Sequence, residues 1–168
     1  MIFMGAPKKQ KRKYATPKKP YDRTRLEKER KIKHDFGLRR KKEIWKAEST
    51  LRSFRQRARE LQARKDEEKE KTLFDRVRKM GIECKTLEDV LEIALEDMLA
   101  RRLQTIIHKK GIALTPKQAR QFIVHGHVFV GGRRVLWPSY IVEYGQEEKI
   151  SVEPKMSKAI VKQETGKK

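Results

Sequence analysis

The residues of this sequence with the clearest chemical potential are cations, amides and hydroxyls between positions 101 and 134. They fall off the apolar stripes of two predicted helices and at the turn of a predicted β-hairpin. Guanidinium and ammonium groups beside a helix N-terminus suit a phosphate backbone. Nothing in the pattern marks sequence-specific base reading, so RNA of defined shape is the expected ligand. These groups are Arg101, Arg102, Thr105, Lys109, Thr115, Lys117, Arg120, Gln121, Arg133 and Arg134.

Templates for catalysis and metal binding are not matched. Gly131-Gly132 leads into a predicted strand, and the chain has no Gly-rich loop that ends in Gly-Lys-Ser/Thr. Four histidines and one cysteine, Cys84, fit no usual spacing of a four-ligand zinc site. The acidic residues at 88–97 are better explained by a solvated face or a protein contact than by paired acid–base catalysts. We therefore predict no enzymatic activity, no cofactor and no metal.

The charge of the chain also points to a polyanionic partner. Its 168 residues include 44 Lys and Arg and 23 Asp and Glu, a formal net charge of +21. Residues 1–60 hold 22 basic and 7 acidic side chains, residues 61–153 hold 17 and 15, and residues 154–168 hold 5 and 1. A compact chain with this charge repels itself. We expect a near-neutral middle that folds by burial and two basic arms that become ordered against a counter-charge.

No segment indicates a membrane or an export route. No apolar run approaches the roughly 20 residues that cross a bilayer. The opening Met1-Ile2-Phe3-Met4 is too short for a signal-peptide core. A single cysteine cannot form an internal disulfide, which fits a reducing setting. We expect a cytoplasmic protein with no membrane partner and no small-molecule substrate.

The N-terminal segment, residues 1–20, has almost no apolar side chains to bury. It is expected to be disordered when free and to fold onto phosphates, with Tyr14 and Tyr21 free to stack on bases. A solubilising tail or an import signal is the alternative, and a frayed tail is expected for residues 154–168. Deletion of residues 1–20 should weaken RNA binding and leave thermal unfolding nearly unchanged. The expected ligands of phosphate here are Lys8, Lys9, Lys11, Arg12 and Lys13.

Apolar periodicity predicts a helical region at 21–98. A short helix is expected at 22–33, a long one from about 39 to 71, and another around 73–80. The next helix, capped by Thr86, would run about 25 residues to Gly111, or break into two near residues 96–97. The long helix carries Arg52, Arg55 and Arg59 on faces that we expect to bind RNA. A solvated surface helix or a coiled-coil strand is the alternative.

Residues 99–153 read as a small unit with helices and strands. Thr115-Pro116 signals the start of a helix that ends near His125. Gly131-Gly132 predicts a hairpin between strands at 127–130 and 133–135, and further strands are expected at 140–142 and 149–152. The fold class is therefore α+β: a helical N-terminal region, then two helices and a short-stranded sheet, with basic arms at 1–20 and 154–168.

The segment from Leu99 to Val128 resembles a known module. LARRLQTII at 99–107, Lys110-Gly111 and TPKQARQFIVHGHV at 115–128 closely resemble the S-four type RNA-binding domain. That domain is shared by a small-subunit ribosomal protein, some RNA-modifying enzymes and some tRNA synthetases. GAPKKQ at 5–10, YATP at 14–17 and the Arg-rich helices resemble the archaeal form of the universal S-four family of small-subunit ribosomal proteins.

This resemblance implies a structural protein of the small ribosomal subunit. It implies a primary binder of the 5′ domain of small-subunit rRNA that helps nucleate assembly. It also implies a position where mRNA enters the subunit, next to other small-subunit proteins, with an influence on decoding accuracy. Gln104, Gln118 and His125 in the matched motif complete the expected RNA-binding set.

Some family members carry a cysteine zinc site, from which this chain departs because Cys84 stands alone. The alternatives to a ribosomal protein are a ribosome-biogenesis or RNA-modification factor and a general nucleic-acid packaging protein. Within the ribosomal interpretation, Arg102→Ala or Arg120→Ala should cost about 1–3 kcal/mol of RNA binding.

Overall fold

The computed structural model describes residues 12–153, which are mostly helical with a small antiparallel sheet. The predicted α+β class is confirmed. Lys8, Lys9, Lys11 and the tail at 154–168 lie outside the described residues. The elements are α1 (Arg23–Asp35), α2 (Lys41–Ala63), α3 (Glu67–Lys79), α4 (Leu87–Glu92), α5 (Leu95–Ala100), α6 (Leu103–Lys109), α7 (Pro116–Val124), β1 (Val128–Val130), β2 (Arg133–Arg134) and β3 (Ile150–Val152).

The α2 helix is the central helix of the helical region. Its predicted apolar stripe is buried along most of its length, from Ile44 to Leu61. Beyond Leu61 the stripe has no further members, so the helix ends at Ala63 rather than near residue 71. The chain then reverses, and α3 packs Leu73 and Val77 back onto the same core, which α4 and α5 complete.

The predicted long helix from Thr86 onward is three short helices instead. Thr86 caps α4 as expected, since its hydroxyl accepts from the Asp89 N–H at 3.2 Å. The first break follows at Ile93, and the Asp97 carboxylate accepts from the Ala94 N–H at 2.9 Å to start α5. The second break falls at Arg102, whose backbone is extended and forms a β-bridge with Ile141.

The sheet has the order β2-β1-β3, and both pairings are antiparallel. Gly131 and Gly132 form the predicted hairpin turn, where both have positive φ. The predicted strand at 140–142 is not a strand, because only the single bridge to Arg102 pairs it. One face of the sheet buries Val128, Val130 and Ile150 against α6 and α7.

A third, smaller apolar cluster lies between the helical core and the core of the sheet unit. It consists of Leu38, Ile44 and Leu99, which come from the α1–α2 turn, from α2 and from α5. The helical region and the sheet unit are therefore in contact through buried side chains. Among the described residues, no helix is both long enough and apolar enough to cross a membrane.

Candidate nucleic-acid interface

A half-buried carboxylate, Glu43, joins the helical region to the sheet unit. It lies in the first turn of α2, where its Oε1 accepts from the Arg39 and Arg40 N–H groups, each at 3.2 Å. Its Oε2 accepts from Arg102 Nη2 at 2.5 Å. Arg120 Nη2 of α7 lies 3.5 Å from Oε1. One side chain therefore caps α2 and pairs with two arginines from the other half of the molecule.

The Glu43 charge stabilises both guanidinium charges, which repel each other. Burial alone would raise the pKa of Glu43, but the positive charges of Arg102 and Arg120 outweigh burial, so that its pKa lies below the ordinary value. Burial lowers the pKa of Arg102, and the Glu43 charge opposes that shift. Arg102 is only 8% exposed. Removing either partner would therefore leave the other as a poorly solvated charge.

Gln104 forms a second link between the two halves. Its side chain is fully buried, and Nε2 donates to the carbonyls of Gly37 at 3.0 Å and Pro116 at 2.8 Å. Gly37 has φ +57°, and a Cβ there would lie 2.6 Å from Pro116 Cβ. The backbone approaches so closely that only glycine fits. We call Gly37, Glu43, Arg102, Gln104 and Arg120 the clasp.

Several predicted RNA ligands thus have internal partners. Thr105 Oγ1 donates to the Leu99 carbonyl at 2.9 Å. Arg102, Gln104 and Thr105, which the sequence analysis predicts to touch RNA, are all buried and bonded within the protein.

Arg101 and Arg134 also bond to groups of the protein, although Arg134 is exposed. Arg101 pairs with Glu147 and packs on Gly81. Arg134 Nε donates to the Gly126 carbonyl at 2.8 Å, just after the end of α7. Each guanidinium group therefore uses some of its N–H groups in hydrogen bonds that stabilise the fold.

The remaining predicted side chains in this half point to solvent or line the surface. Lys109, Lys117, Gln121 and Arg133 are exposed, and we call them the exposed set. Lys117 and Gln121 share a face of α7 because they are four residues apart. His125 is exposed as well. Thr115 caps α7 by accepting from the Gln118 N–H at 3.2 Å, and the Gln118 side chain accepts from the Leu114 N–H at 2.9 Å.

Comparison with known proteins agrees with this architecture. The S4 domain family model matches residues 101–148, the unit that carries the exposed set. Small ribosomal subunit protein uS4 of Methanococcus aeolicus is 46% identical over 157 residues, which are 90% of this chain and 89% of that protein. The uS4 proteins of Methanothermobacter thermautotrophicus and Sulfurisphaera tokodaii are 45% and 48% identical, over 90% of this chain and 91% and 89% of theirs.

The chain belongs to the uS4 family of small ribosomal subunit proteins. The resemblance seen in the sequence is therefore confirmed, including its archaeal relatives. The similarity to uS4 proteins spans the helical region as well as the S4 domain, so it is more than a shared module. Accordingly, this chain is a structural ribosomal protein and not an enzyme.

A further group of basic side chains lies on α2. Arg52 and Arg59 are exposed, whereas Arg55 is half-buried and donates from Nη2 to the Ile93 carbonyl at 2.8 Å. Together with Glu48, Leu51, Gln56 and Leu95 they line an open groove of about 680 Å³. Burial and the nearby Glu29 raise the pKa of Glu48. The predicted arginines of the long helix are thus brought together, with one of them anchored.

The described part of the N-terminal arm contacts α2, contrary to expectation for Tyr14. The half-buried Tyr14 ring lies 6.0 Å from the Trp45 ring, between centroids, so it already has an aromatic partner within the protein. Arg12 and Lys42 lie over the Tyr14 ring at 5.5 and 6.0 Å. Tyr21, by contrast, is 91% exposed. Trp45 is the partner that the sequence did not reveal, because the contact joins residues 31 positions apart.

Two aromatic residues that the sequence analysis passed over are also exposed in the S4 half. Trp137 is 67% exposed and Tyr144 is 55% exposed. Trp137 follows β2 in a Pro-containing loop, three residues after Arg134. The position of Trp137 in a loop close to Arg133 and Arg134 could have identified it as a candidate RNA-binding residue, since aromatic rings stack on bases.

The described residues offer no metal site, since no three His, Cys, Asp or Glu side chains are grouped there. Cys84 is a free thiol, and its burial raises its pKa, which makes it a poor nucleophile and a poor ligand.

Proposed function

We propose that this chain assembles into the small ribosomal subunit in the cytoplasm and binds the 5′ domain of the small-subunit rRNA early in assembly. The observation that supports this most directly is an S4 domain with an exposed set of cations and amides, held at a fixed position on a helical region by the clasp. Relatives of 45–48% identity over about 90% of the chain bear the uS4 name.

In this proposal the protein recognises its RNA by the distance between two basic surfaces of the protein, and not by contacts to particular bases. Lys109, Lys117 and Arg133 neutralise phosphates, and Gln121 adds hydrogen bonds to phosphate or ribose. The arginines of α2 form a second contact surface. Because the clasp joins the two surfaces, only an RNA fold with matching phosphate positions engages both at once.

The arm supplies further phosphate contacts in this proposal. Arg12 and Lys13 are exposed at its described end, and Lys8, Lys9 and Lys11 precede them outside the described residues. Each neutralised phosphate releases counterions, so the affinity falls steeply as salt rises.

We also propose that the bound protein lies where mRNA enters the subunit and influences decoding accuracy through a protein neighbour. The exposed carboxylates of α4 and α5, Glu88, Glu92 and Glu96, offer an acidic surface for that neighbour. A basic protein segment would complement it, whereas rRNA would be repelled by it.

The test is a salt titration of binding to a transcript of the rRNA 5′ domain, beside an unrelated folded RNA of equal length. The expected result is a preference for the 5′ domain that survives at moderate salt. Equal affinities that vanish together as salt rises would show a nonspecific polycation and overturn the proposal. Presence in precursor particles and absence from mature subunits would favour a biogenesis factor instead.

A further inference from the structure

We infer that the start of the described arm and one face of α2 form a single binding track for the phosphates of an RNA backbone, and that Tyr14 sets its register. This inference rests on the proposed function, because it assumes that the protein binds RNA. It adds a contact surface, built by Tyr14, Lys42 and Lys46, which lies outside the S4 domain match at residues 101–148.

The anchor of the track is an aromatic contact on a fixed platform. The Trp45 ring is held in place by a hydrogen bond to α1, because its Nε1 donates to Glu29 Oε1 at 3.0 Å. Glu29 is buried and lies 3.2 Å from Lys41 Nζ. Tyr14 packs on this Trp45 ring, and one residue later the Ala15 N–H donates to Ser49 Oγ at 3.1 Å. Two consecutive arm residues are thus bound to α2 one helical turn apart.

The cations around the anchor have no acidic partner among the described residues. Arg12 and Lys42 both lie over the Tyr14 ring, and Lys13 and Lys46 are exposed close by in sequence. None of the four takes part in an ion pair within residues 12–153. Cations gathered by a docked segment repel each other, and a polyanion relieves that repulsion.

The surface continues along α2 beyond the arm. The polar side chains on this face recur every three or four residues, the spacing of one helix face. From the first to the last of them the helix rises about 25 Å. At the C-terminal end of α2 the side chains of this face line the open groove described above. In that groove Arg55 Nε is buried without a hydrogen-bond partner. The residues of this face are Lys42, Lys46, Ser49, Arg52, Gln56 and Arg59.

The chemistry of this face favours a nucleic-acid backbone over an acidic protein. The centre of a protein interface is usually depleted in charged residues and enriched in aromatic ones. Here the two aromatic rings contact each other, and the side chains of the face are four cations, an amide and a hydroxyl, with Glu48 as the one carboxylate in the groove lining. Cations, amides and hydroxyls are the usual donors to phosphate and sugar oxygens.

The anchor is tested with Tyr14→Ala and Tyr14→Phe in the full-length chain, by affinity for the 5′-domain transcript. We expect about 3- to 10-fold weaker binding for Tyr14→Ala and near-complete recovery for Tyr14→Phe, because the ring makes the contact. Tyr21→Ala is the matched control, since Tyr21 is in the same arm and 91% exposed. In a Trp137→Phe background and without RNA, Tyr14→Ala should also shift the emission of Trp45.

The track itself is tested with Lys42→Gln plus Lys46→Gln. We expect the salt dependence of log affinity to fall by about 2, one for each lost phosphate contact. The matched control is Lys71→Gln plus Lys79→Gln, two exposed lysines of α3.

The outcomes separate the two proposals. If the unaltered chain shows no preference for the 5′ domain, the proposed function fails. If that preference exists but Tyr14→Ala binds as tightly as the unaltered chain, the track alone is overturned. Equal losses for Tyr14→Ala and Tyr21→Ala would also overturn it, since they would indicate that the arm tyrosines stack on bases. An unchanged salt dependence for the α2 lysine variant would exclude the phosphate track.

Discussion

At the scale of single residues, burial decides what each arginine does. Arg102 and Arg133 have the same guanidinium group, yet Arg102 is buried against Glu43 and Arg133 is exposed at the hairpin. The sequence analysis predicts both as RNA ligands, Arg102 in the S-four type motif and Arg133 at the hairpin turn. Only the partner 59 residues away distinguishes them.

The two arginines should therefore respond differently to alanine. Arg133→Ala should weaken 5′-domain binding by about 1 kcal/mol and reduce the salt dependence by about 1, with unfolding unchanged. Arg102→Ala should instead lower the free energy of unfolding by about 3 kcal/mol, because Glu43 is left without its main partner. Urea unfolding and RNA titration of both variants check this. An Arg102→Ala chain of normal stability would contradict the structural role.

Glu43 should also leave a signature in the pH dependence of stability. Because its pKa is lowered in the folded protein, its stabilising effect is complete above the ordinary glutamate pKa. That effect is lost as the pH falls through the lowered, folded-state value. Glu43→Gln keeps an oxygen that can cap α2 but removes the charge. It should cost about 2 kcal/mol at neutral pH, below the roughly 3–5 kcal/mol of a fully buried pair.

Urea unfolding of the Glu43→Gln chain and the parent across acidic and neutral pH measures this effect. The difference between the two proteins should shrink towards low pH. A difference that stays constant with pH would show that shape, and not charge, is what Glu43 contributes.

At the scale of elements, the sequence predicts the features that depend on neighbouring residues. It does not predict those that depend on residues far apart in the chain. Thr115-Pro116 marks the start of α7, and Gly131-Gly132 marks the hairpin, because caps and tight turns depend on neighbouring residues. The break at Arg102 was missed. There the Leu103 N–H donates to the Tyr140 carbonyl at 2.8 Å, a partner that becomes visible only in the folded chain. The same limit explains the buried Gln104 and the Tyr14–Trp45 contact.

The α1–α2 turn provides a test at this scale. Gly37→Ala combines a positive φ with a close approach to Pro116 and Gln104, and should lower the free energy of unfolding by more than about 2 kcal/mol. Gly111→Ala is the control, because its φ is +71° but its Cβ would meet nothing within 4 Å. It should cost only about 1 kcal/mol. Equal costs in thermal or urea unfolding would show that the approach to Pro116 is unimportant.

At the scale of the whole molecule, the helical region and the S4 domain form one connected structure. The clasp supplies the polar links, and the cluster of Leu38, Ile44 and Leu99 supplies the apolar one. The domain boundary at residue 99 stays a prediction from the sequence. Buried contacts across the boundary favour a single cooperative unfolding transition.

The arm contact changes the expectation for N-terminal truncation. Deletion of residues 1–11 removes Lys8, Lys9 and Lys11 and should reduce the salt dependence of RNA binding by about 3, with no change in thermal unfolding. Deletion of residues 1–20 also removes Tyr14 from Trp45 and should lower the midpoint of unfolding measurably. Calorimetry of both truncated proteins measures the difference. Identical midpoints would restore the earlier view of an arm that is independent of the fold.

The clasp has a consequence for the biosynthesis of the chain. Gly37 and Glu43 leave the ribosome first, whereas Arg102 follows Glu43 by 59 residues. At roughly 5–20 residues per second, this interval lasts about 3–12 seconds. During that time the α1–α2 turn has neither Gln104 nor Pro116 to hold it. The nascent helical region should therefore remain sensitive to proteases until the S4 domain has emerged, and then become resistant in a single step.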